Sequence, residues 1–282
     1  MLRIAVPNKG TLSTPAAQML RDAGYRQRTD TKDLVCRDED NDVEFFYLRP
    51  RDIATYVGSG DLDLGITGRD LLVDSGVPAR EVLDLGFGGA TFRWAAPPGA
   101  LSSADGIGGM RIATAYPGVV ERYLAEHDLK ADVVRLDGAV ENAVRLGVAD
   151  LIADVVETGT TLRQAGLVTV GAPLLRSSAI LIGREDGTAA EAKPAQLIRR
   201  LQGVLVARSY VMLAYDVRAD LLESATALTP GIESPTVSPL HREGWVAVQA
   251  MVRRADVHRI MDELYALGAR AILVTAIANC RL

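Results

Sequence analysis

The sequence predicts an α/β protein of three parts, on three observations. Up to about residue 90, short apolar runs alternate with helical patterns, and their connections are short. A similar alternation resumes at the strand 91–96, and from about residue 210 the order becomes strand, helix, strand, helix, strand. Strands separated by helices favour a largely parallel sheet, and the last pattern is typical of a small ferredoxin-like sandwich.

The first part opens with an apolar strand at 2–6, followed by the tight connection Pro7-Asn8-Lys9-Gly10. A helix begins near Thr14, because Pro15 suits the first helical position and Gly24 suits a helix stop. The other elements of this part are a strand at 43–48, a helix at 50–57, a buried strand at 62–66 and a helix opened by 67–70.

The second part repeats this alternation and ends in a return to the first. Its elements are strands at 111–115, 132–136 and 151–156, helices at 117–127 and 138–146, and apolar strands near 174–183. A polar stretch at 184–194 is expected to be a surface loop or a segment that leads into a helix, and the helix predicted at 195–207 returns to the first part.

Two segments of these parts look alike, GSGDLDLGITG at 58–68 and GVADLIADVVETG at 147–159. Each has a helix stop, an Asp-Leu strand opening and a strand that ends near Thr-Gly. This weak similarity is consistent with two related lobes, but a chance resemblance of two strand-to-helix junctions explains it equally well.

The third part begins near residue 210 and differs in character. Its elements are strands at 210–216, 245–252 and 271–276, helices at 220–227 and 254–267, and a loop with three prolines at 229–240. We therefore expect a first lobe of residues 1–90 with 184–210, a second lobe of 91–183 and a C-terminal domain of 211–282.

Composition excludes several function classes. The net charge is −5 and the pI is about 5.3, which argues against a nucleic-acid-binding or membrane surface. No apolar run reaches the roughly 18 residues of a membrane span, and the start of the sequence reads as a strand rather than a signal peptide. Two cysteines cannot form a disulfide scaffold, so a cytoplasmic location is expected.

The strongest local signal is the segment from Asp154 to Thr161. An apolar strand delivers Asp154 and Glu157 to its carboxyl end, where ligands of α/β sheets bind. The turn Thr158-Gly159-Thr160-Thr161 then offers backbone N–H groups and hydroxyls to a phosphate. A ribose 5-phosphate fits this order of groups, although a capped turn without a ligand explains the same residues.

Basic and acidic side chains follow three other strands. Lys9 stands in a glycine loop in a chain with only four lysines, and Arg49 and Arg51 flank a proline at a strand end. A lysine in such a loop and a pair of arginines suit a diphosphate, but a solvated lysine and an ion pair with Asp52 are equally open. Asp70 opens a helix at a strand end, where a site residue and an acid that only stabilises the first turn are both open interpretations.

Other catalytic motifs are absent from the sequence. His127, His241 and His258 show no metal-ligand spacing. No serine elbow, Walker loop, GxGxxG or paired-cysteine motif appears, which weakens nucleophilic catalysis and P-loop phosphoryl transfer as interpretations.

An ordered set of blocks resembles one family over nearly the whole chain. The blocks are RIAVPNKG, FFYLRPRDIATYV, DLGITGRDLL, RIATAYP, LDGAVE and ADVVETGTTL, followed by TPGIESPT and IMDEL. Together they resemble ATP phosphoribosyltransferase in its long, histidine-regulated form. This glycosyltransferase begins histidine biosynthesis by joining the ribose phosphate of phosphoribosyl pyrophosphate (PRPP) to N1 of ATP.

The resemblance implies both a fold and ligands. The fold is two periplasmic-binding-protein-like (type II) α/β lobes that form a catalytic cleft, plus a C-terminal ferredoxin-like regulatory domain. The implied partners are ATP, PRPP, Mg²⁺, histidine as inhibitor, and further copies of the chain in homodimers and homohexamers. Mg²⁺ is expected on substrate phosphates and ribose, with Asp154 and Glu157 as candidate ligands.

The resemblance also implies roles for individual residues. The positions that match the PRPP and ATP site are Lys9, Arg49, Arg51, Asp70, Leu71, Tyr116, Asp154, Glu157, Thr158, Gly159, Thr160 and Thr161. The positions that match the histidine pocket are Asp216, Ile232, Thr236, Met251, Ala271 and Leu273. Lysine would be accepted equally at Arg51, with different contact geometry. No catalytic acid or base is assigned, because N1 of neutral adenine has a free lone pair.

Two alternatives stay open at this point. A solute-binding protein would also use a two-lobed cleft with phosphate-binding turns, although no export signal appears. A catalytically silent paralogue would keep the fold, although Lys9, Arg49 and Asp154 are intact.

Overall fold

The computed structural model describes residues 1–185 and 192–281. These residues form two compact units, one of Met1–Arg21 with Tyr25–Ala195 and one of Asp22–Gly24 with Gln196–Leu282. The strands of the first unit are β1 (Leu2–Pro7), β2 (Val35–Asp38), β3 (Val43–Leu48), β4 (Leu64–Gly68), β5 (Ala79–Asp84), β6 (Ala90–Ala96), β7 (Arg111–Thr114), β8 (Asp132–Arg135), β9 (Leu151–Val156), β10 (Val168–Ser177) and β11 (Ala179–Arg184). Those of the second unit are β12 (Tyr210–Arg218), β13 (Thr236–Pro239), β14 (Trp245–Arg253) and β15 (Arg270–Ala276).

Helices connect these strands in the order that the sequence predicts. They are α1 (Ser13–Asp22), α2 (Pro50–Gly58), α3 (Arg69–Ser75), α4 (Pro117–Glu126), α5 (Asn142–Arg145), α6 (Thr160–Gln164), α7 (Ala192–Ser209), α8 (Leu222–Leu228) and α9 (Val257–Leu267). None of the helices in the described part of the chain has the length and apolar character to cross a membrane. Most of the polar stretch predicted at 184–194 lies outside the described residues.

The first sheet has the strand order β2-β3-β1-β4-β11-β5. Strand β1 is parallel to β3 and β4, and β11 is antiparallel to β4 and β5. The central strands are buried on both faces, as expected for parallel strands covered by helices; Ile4, Phe45 and Ile66 have no exposed surface. This sheet and its helices form the first lobe.

The second sheet has the strand order β10-β6-β9-β7-β8. Strand β7 is parallel to β8 and β9, and β6 lies antiparallel between β9 and β10. Its core contains the fully buried side chains of Phe92, Trp94 and Ile112. This sheet and its helices form the second lobe.

The two sheets have the same topology. The order β3-β1-β4-β11-β5 corresponds strand for strand to β8-β7-β9-β6-β10, with the same parallel and antiparallel pairs. Strands β4 and β9 therefore occupy equivalent positions, and they lie in the two segments that look alike, 58–68 and 147–159. Equivalent positions in equivalent sheets favour related lobes over chance resemblance.

Several local predictions differ from the structure. The helix expected at 138–146 is reduced to α5, because Ala139 has a φ of 51°, a left-handed conformation that excludes it from a right-handed helix, and the helix begins only after it. Strands β2 and β5 were not predicted. Strand β11 pairs with β4 and β5, so residues 179–183 lie in the first sheet, whereas the sequence assigned them to the second lobe.

The second unit contains a four-stranded antiparallel sheet of order β13-β14-β12-β15. With α8 and α9 this gives the β-α-β-β-α-β order of a ferredoxin-like sandwich, as expected. Val211, Leu213, Tyr215 and Val217 alternate along β12 and form the core with the two helices. Residues 196–210, which the sequence assigned to the first lobe, belong to this unit.

One strand of this domain was wrongly expected to be part of a loop. The proline-rich segment 229–240 contains β13, which pairs only with β14. Proline cannot donate to a ladder, but an edge strand tolerates it. Pro239 therefore marks an edge strand here rather than a loop.

Candidate functional site

A cavity of about 170 Å³ lies where strands of both sheets of the first unit end. Its walls come from the residues that follow β1 and β4 in the first sheet and β7 and β9 in the second. Because ligands of α/β sheets bind at the carboxyl ends of strands, this is the expected position for a site. The cavity is lined by five predicted site residues, Lys9, Asp70, Leu71, Tyr116 and Glu157.

Lys9 follows β1 in a tight loop that the backbone fixes. The N–H of Asn8 donates to the carbonyl of Leu48 at 2.8 Å, and a guanidinium nitrogen of Arg28 donates to the carbonyl of Asn8 at 3.3 Å. Gly10 has a φ of 79°, which glycine adopts without strain. Lys9 itself is exposed and has no ion-pair partner among the described residues. Its ammonium group is therefore available to an anion.

Asp70 is buried at the beginning of α3, so it is not an exposed acidic residue that only stabilises the first turn of a helix. Its side chain accepts a hydrogen bond from the Ser177 hydroxyl at 2.6 Å, and its backbone N–H donates to that hydroxyl at 3.1 Å. A Cβ on Gly68 would overlap the Asp70 carboxylate, so glycine at the end of β4 lets the carboxylate keep this position. The carboxylate is thus held in one position at the cavity wall.

Tyr116 precedes α4 and packs between charged groups. The pKa of its hydroxyl is raised by burial and by the carboxylates of Asp70 and Asp154. The guanidinium of Arg51 lies 4.9 Å from the centroid of the tyrosine ring, within the range of a cation–π interaction. The neutral phenol therefore forms part of the wall that joins the two lobes.

Arg51 is paired, but not with the residue that the sequence suggested. Its Nη1 lies 2.7 Å from Oδ2 of Asp74, in α3, whereas Asp52 is exposed. The ion pair leaves the other guanidinium N–H groups of Arg51 beside Tyr116. Arg49 is exposed at the beginning of α2, where its carbonyl accepts from the N–H of Asp52 at 2.9 Å, and its side chain has no hydrogen bond or ion pair to a described residue.

Asp154 lies near the end of β9, directly across from Arg93 of β6. Burial raises the pKa of Asp154 to about 6, the carboxylates of Glu141 and Asp70 add to the shift, and the N–H of Val155 and Arg51 oppose it. A carboxylate with a pKa raised this far in a cleft is a candidate functional group.

The turn after β9 is exposed and locally ordered. Gly159 has a φ of 69°, and the hydroxyls of Thr158 and Thr160 are 3.1 Å apart. Nη2 of Arg163 donates to the Thr160 hydroxyl at 3.2 Å. Helix α6, which follows, has only five residues, so exposed N–H groups and hydroxyls matter more here than a helix dipole. Thr158, Gly159, Thr160 and Thr161 do not line the cavity itself.

Some residues of the site were missed by sequence reasoning. The further lining residues are Gly10, Thr11, Leu12, Pro50, Gly68, Gly88, Ala90, Val155, Ser177 and Ser178. Ser177 is the most informative, because it fixes Asp70 from a position 107 residues away. The only sequence signal for it was a polar Ser-Ser pair between two apolar strands. Glu141 is the last residue of the block LDGAVE, but no sequence feature predicted a role for it.

Four of the six predicted histidine-pocket residues share one face of the second unit's sheet. Thr236 and Leu273 lie in one row of residues paired across the four strands. Met251 and Asp216 lie two residues from that row along β14 and β12, and therefore on the same face. This is the face opposite the helices, because the alternate residues of β12 point to α8 and α9. Ala271 stands beside it with a φ of 50°, and Ile232 lies in the loop before β13.

No group of three or more His, Cys, Asp or Glu side chains within residues 1–185 and 192–281 is arranged to hold a metal ion. Asp154 and Glu157 nevertheless supply oxygen donors at the end of β9. This donor set fits Mg²⁺, which takes one or two carboxylates and completes its shell with phosphate oxygens and water.

The fold and the site define a class of protein, a two-lobed α/β protein whose cleft suits a phosphorylated sugar or nucleotide. The comparisons agree. A family model described as ATP phosphoribosyltransferase matches residues 49–203, and one described as the HisG C-terminal domain matches residues 207–279. The chain is 74% identical to an ATP phosphoribosyltransferase of Salinispora tropica and 62% identical to that of Streptomyces avermitilis, with 100% of each chain covered.

A solved structure is also similar. It is an ATP phosphoribosyl transferase (HisG:HisZ) complex from Thermotoga maritima, which is 26% identical with a TM-score of 0.62 and covers 72% of this chain and 97% of that one. This chain belongs to the ATP phosphoribosyltransferase family, and its C-terminal domain identifies the long form. It is a pentosyltransferase, which is a class of glycosyltransferase, and it acts in histidine biosynthesis.

Proposed function

We propose that this chain joins ATP and PRPP to form N1-(5-phosphoribosyl)-ATP and diphosphate, with Mg²⁺, in the cytoplasm. The observation that carries the proposal is the cavity where strands of both sheets end, since it combines the free cation of Lys9 with the fixed carboxylate of Asp70. Lys9, Asp70, Tyr116 and Glu157 line it. Family membership supports the pair of substrates.

PRPP is assigned to the end of β9. The N–H groups and hydroxyls of the turn 158–161 receive the 5-phosphate, because exposed amides bind anions well. Asp154 and Glu157 then face the ribose hydroxyls, for which ionised carboxylates are strong acceptors. The exposure of the turn beside the partly buried Asp154 supports this order.

The nucleotide and the diphosphate are assigned to the opposite wall. Lys9, Arg49 and Arg51 face phosphate groups, and Asp70, Leu71 and Tyr116 line the nucleotide position. The free ammonium of Lys9 and the fixed positions of Asp70 and Tyr116 support this assignment.

The reaction is a displacement at the anomeric carbon of PRPP. The bond to diphosphate breaks as N1 of adenine attacks from the opposite face, and positive charge develops on the ribose ring. Carboxylates near the ribose stabilise that charge, and the cationic side chains stabilise the departing diphosphate. Bound Mg²⁺ supplies further charge neutralisation. Holding two polyanions in the reacting orientation accounts for much of the remaining acceleration.

The activity is expected to depend on the ionisation of Asp154. Its pKa of about 6 makes the carboxylate the minor form below pH 6, and a neutral acid is a weaker acceptor for ribose hydroxyls. The kcat/KM for PRPP should therefore fall about tenfold for each pH unit below 6 and level off above it. A pH–rate profile measures this, and the acid limb should be missing in Asp154→Asn. A flat profile between pH 5 and 7 would contradict the assignment.

The direct test of the proposed function is an absorbance assay of the full chain with ATP, PRPP and Mg²⁺. The expected result is formation of the N1-ribosylated nucleotide, with diphosphate released in equal amount. Absence of product under conditions where the protein is folded would exclude the proposal and favour a silent paralogue.

We also propose that the C-terminal domain binds histidine and thereby inhibits the enzyme. The open sheet face with Asp216 supports this, because a carboxylate there can pair with the ammonium group of an amino acid. Inhibition then requires histidine to favour a less active state of the enzyme. Dimers and hexamers of the chain are part of the same proposal.

Asp216→Asn should weaken histidine inhibition by about tenfold or more, because a neutral amide cannot pair with the ammonium group. The uninhibited kcat should stay within about twofold of wild type, since the change lies in the other unit. Inhibition curves with histidine measure this. Asp220→Asn, which removes another carboxylate of this domain, is the control. Equal inhibition of both variants and the wild type would place the histidine site elsewhere.

A further inference from the structure

Helix α3 carries a second carboxylate, Asp74, in its last turn, and both of its oxygens are engaged. Oδ2 accepts from Nη1 of Arg51 at 2.7 Å, and Oδ1 accepts from the backbone N–H of Gly118 at 2.8 Å. Only 7% of the Asp74 side chain is exposed. A single buried carboxylate thus joins α2, α3 and the first turn of α4.

These bonds cross from one lobe to the other. Arg51 and Asp74 belong to the first lobe, and Gly118 belongs to the second. The approach is close enough that a Cβ on Gly118 would overlap the backbone carbonyl of Asp74, so only glycine fits. Charge and shape therefore specify this contact together.

The contact also orients two groups of the site. Asp74 holds the Arg51 guanidinium directly, 4.9 Å from the ring centroid of Tyr116. Tyr116 immediately precedes α4, whose first turn Asp74 fixes through Gly118. Because an arginine fork is planar, engaging one nitrogen sets the direction of the other N–H groups. Removing the carboxylate would release both Arg51 and Tyr116.

We propose that Asp74 is a positioning residue of the substrate cleft. It sets the direction in which Arg51 presents its remaining N–H groups to substrate phosphate, and it holds Tyr116 at the cavity wall by fixing α4. This proposal rests on the proposed function, because it takes the cleft as the place where ATP and PRPP bind. Asp74 itself does not line the cavity, so its role in the cleft is indirect.

The test is Asp74→Asn in the full chain, with steady-state kinetics for both substrates. We expect the KM of ATP or PRPP to rise about tenfold or more and kcat to fall less than about threefold, because ground-state orientation is lost. Asp150→Asn is the control: Asp150 also accepts from an arginine side chain at 2.7 Å and from a backbone N–H at 2.8 Å, but it is 40% exposed and precedes β9, at the end of that strand opposite to the cavity.

A double-mutant cycle with Arg51→Ala, which removes the cation that Asp74 holds, separates positioning from general damage. Because Asp74 acts in part through Arg51, adding Asp74→Asn to Arg51→Ala should raise KM by less than it does in the wild type. Independent, multiplying effects would overturn the proposal, as would KM values for Asp74→Asn within twofold of wild type.

Gly118→Ala keeps the proposal testable if Asp74→Asn fails to fold. Its Cβ pushes α4 away from α3 while both charges remain, and it should raise the same KM. Gly138→Ala, where a Cβ has open space, is its control. Unchanged KM values in Gly118→Ala would count against the proposal. An inactive wild-type protein would instead refute the proposed function, so the two failures are distinguishable.

Discussion

Replacing Asp154 by asparagine is expected to lower kcat/KM for PRPP by about 10²- to 10³-fold, which is the usual loss when one electrostatic contact to a transition state is removed. Asn has nearly the same shape, but it carries no charge to stabilise the developing positive charge on the ribose ring. It is also a weaker acceptor for the ribose hydroxyls. Steady-state kinetics at pH 8, where the wild-type carboxylate is ionised, measure the loss.

The same substitution should make the free protein more stable at alkaline pH. Burial raises the pKa of Asp154 to about 6, above the usual value of 3.8. Stability from a carboxyl group of this kind is full below its unfolded pKa and is lost as pH rises through the folded pKa. At pH 8 the wild type therefore carries a cost of about 1–3 kcal/mol that Asn avoids.

Thermal unfolding at pH 5 and pH 8 checks this second effect. The stability advantage of Asp154→Asn over wild type should be larger at pH 8 than at pH 5, where most of the wild-type carboxyl is neutral. Asp132→Asn, an exposed position at the beginning of β8, should change neither activity nor stability appreciably. An active Asp154→Asn enzyme would remove Asp154 from the site.

Replacing Gly159 by alanine is expected to raise the KM for PRPP by about tenfold or more. The left-handed conformation at φ 69° costs a residue with a Cβ about 1–2 kcal/mol. The turn 158–161 will relieve that strain by changing conformation, and its N–H groups will no longer converge on the phosphate. The KM for ATP should stay within about twofold, because the nucleotide is assigned to the other wall.

The control for this substitution is at the other end of the same helix. Gly166 follows α6 with a φ of 73° and has open space where a Cβ would lie. Gly166→Ala therefore introduces the same strain without touching the phosphate turn. If both variants lose stability equally and both keep the wild-type KM for PRPP, the turn does not hold the phosphate.

The sequence left two alternatives open, a solute-binding protein and a catalytically silent paralogue. Matches over the full chain to the ATP phosphoribosyltransferase family argue against a solute-binding protein. A silent paralogue is tested by the assay with ATP and PRPP. The two lobes, which would also suit a solute-binding protein, contain sheets that share a five-strand topology.

Local sequence determined the order of most helices and strands, though not β2, β5 or β13, and the place where the functional side chains gather. A burial period of two residues in β3 and a short apolar run in β9 predicted these strands with their observed bounds. Polar groups that follow such strands, as Lys9 and Asp70 do, are carried to one edge of a parallel sheet whatever the rest of the fold. The cavity lies at that edge for this reason.

Only the tertiary structure decided which of these groups meet. Arg51 pairs with Asp74 rather than its neighbour Asp52, Ser177 fixes Asp70 across 107 residues, and β11 returns to the first sheet. Each depends on two distant segments approaching within hydrogen-bond distance. Periodicity and capping residues report only the conformation of neighbouring residues, so they carry no information on such pairs. Long-range packing determines these pairs, because a buried polar group forms its hydrogen bond with whichever partner the fold places beside it.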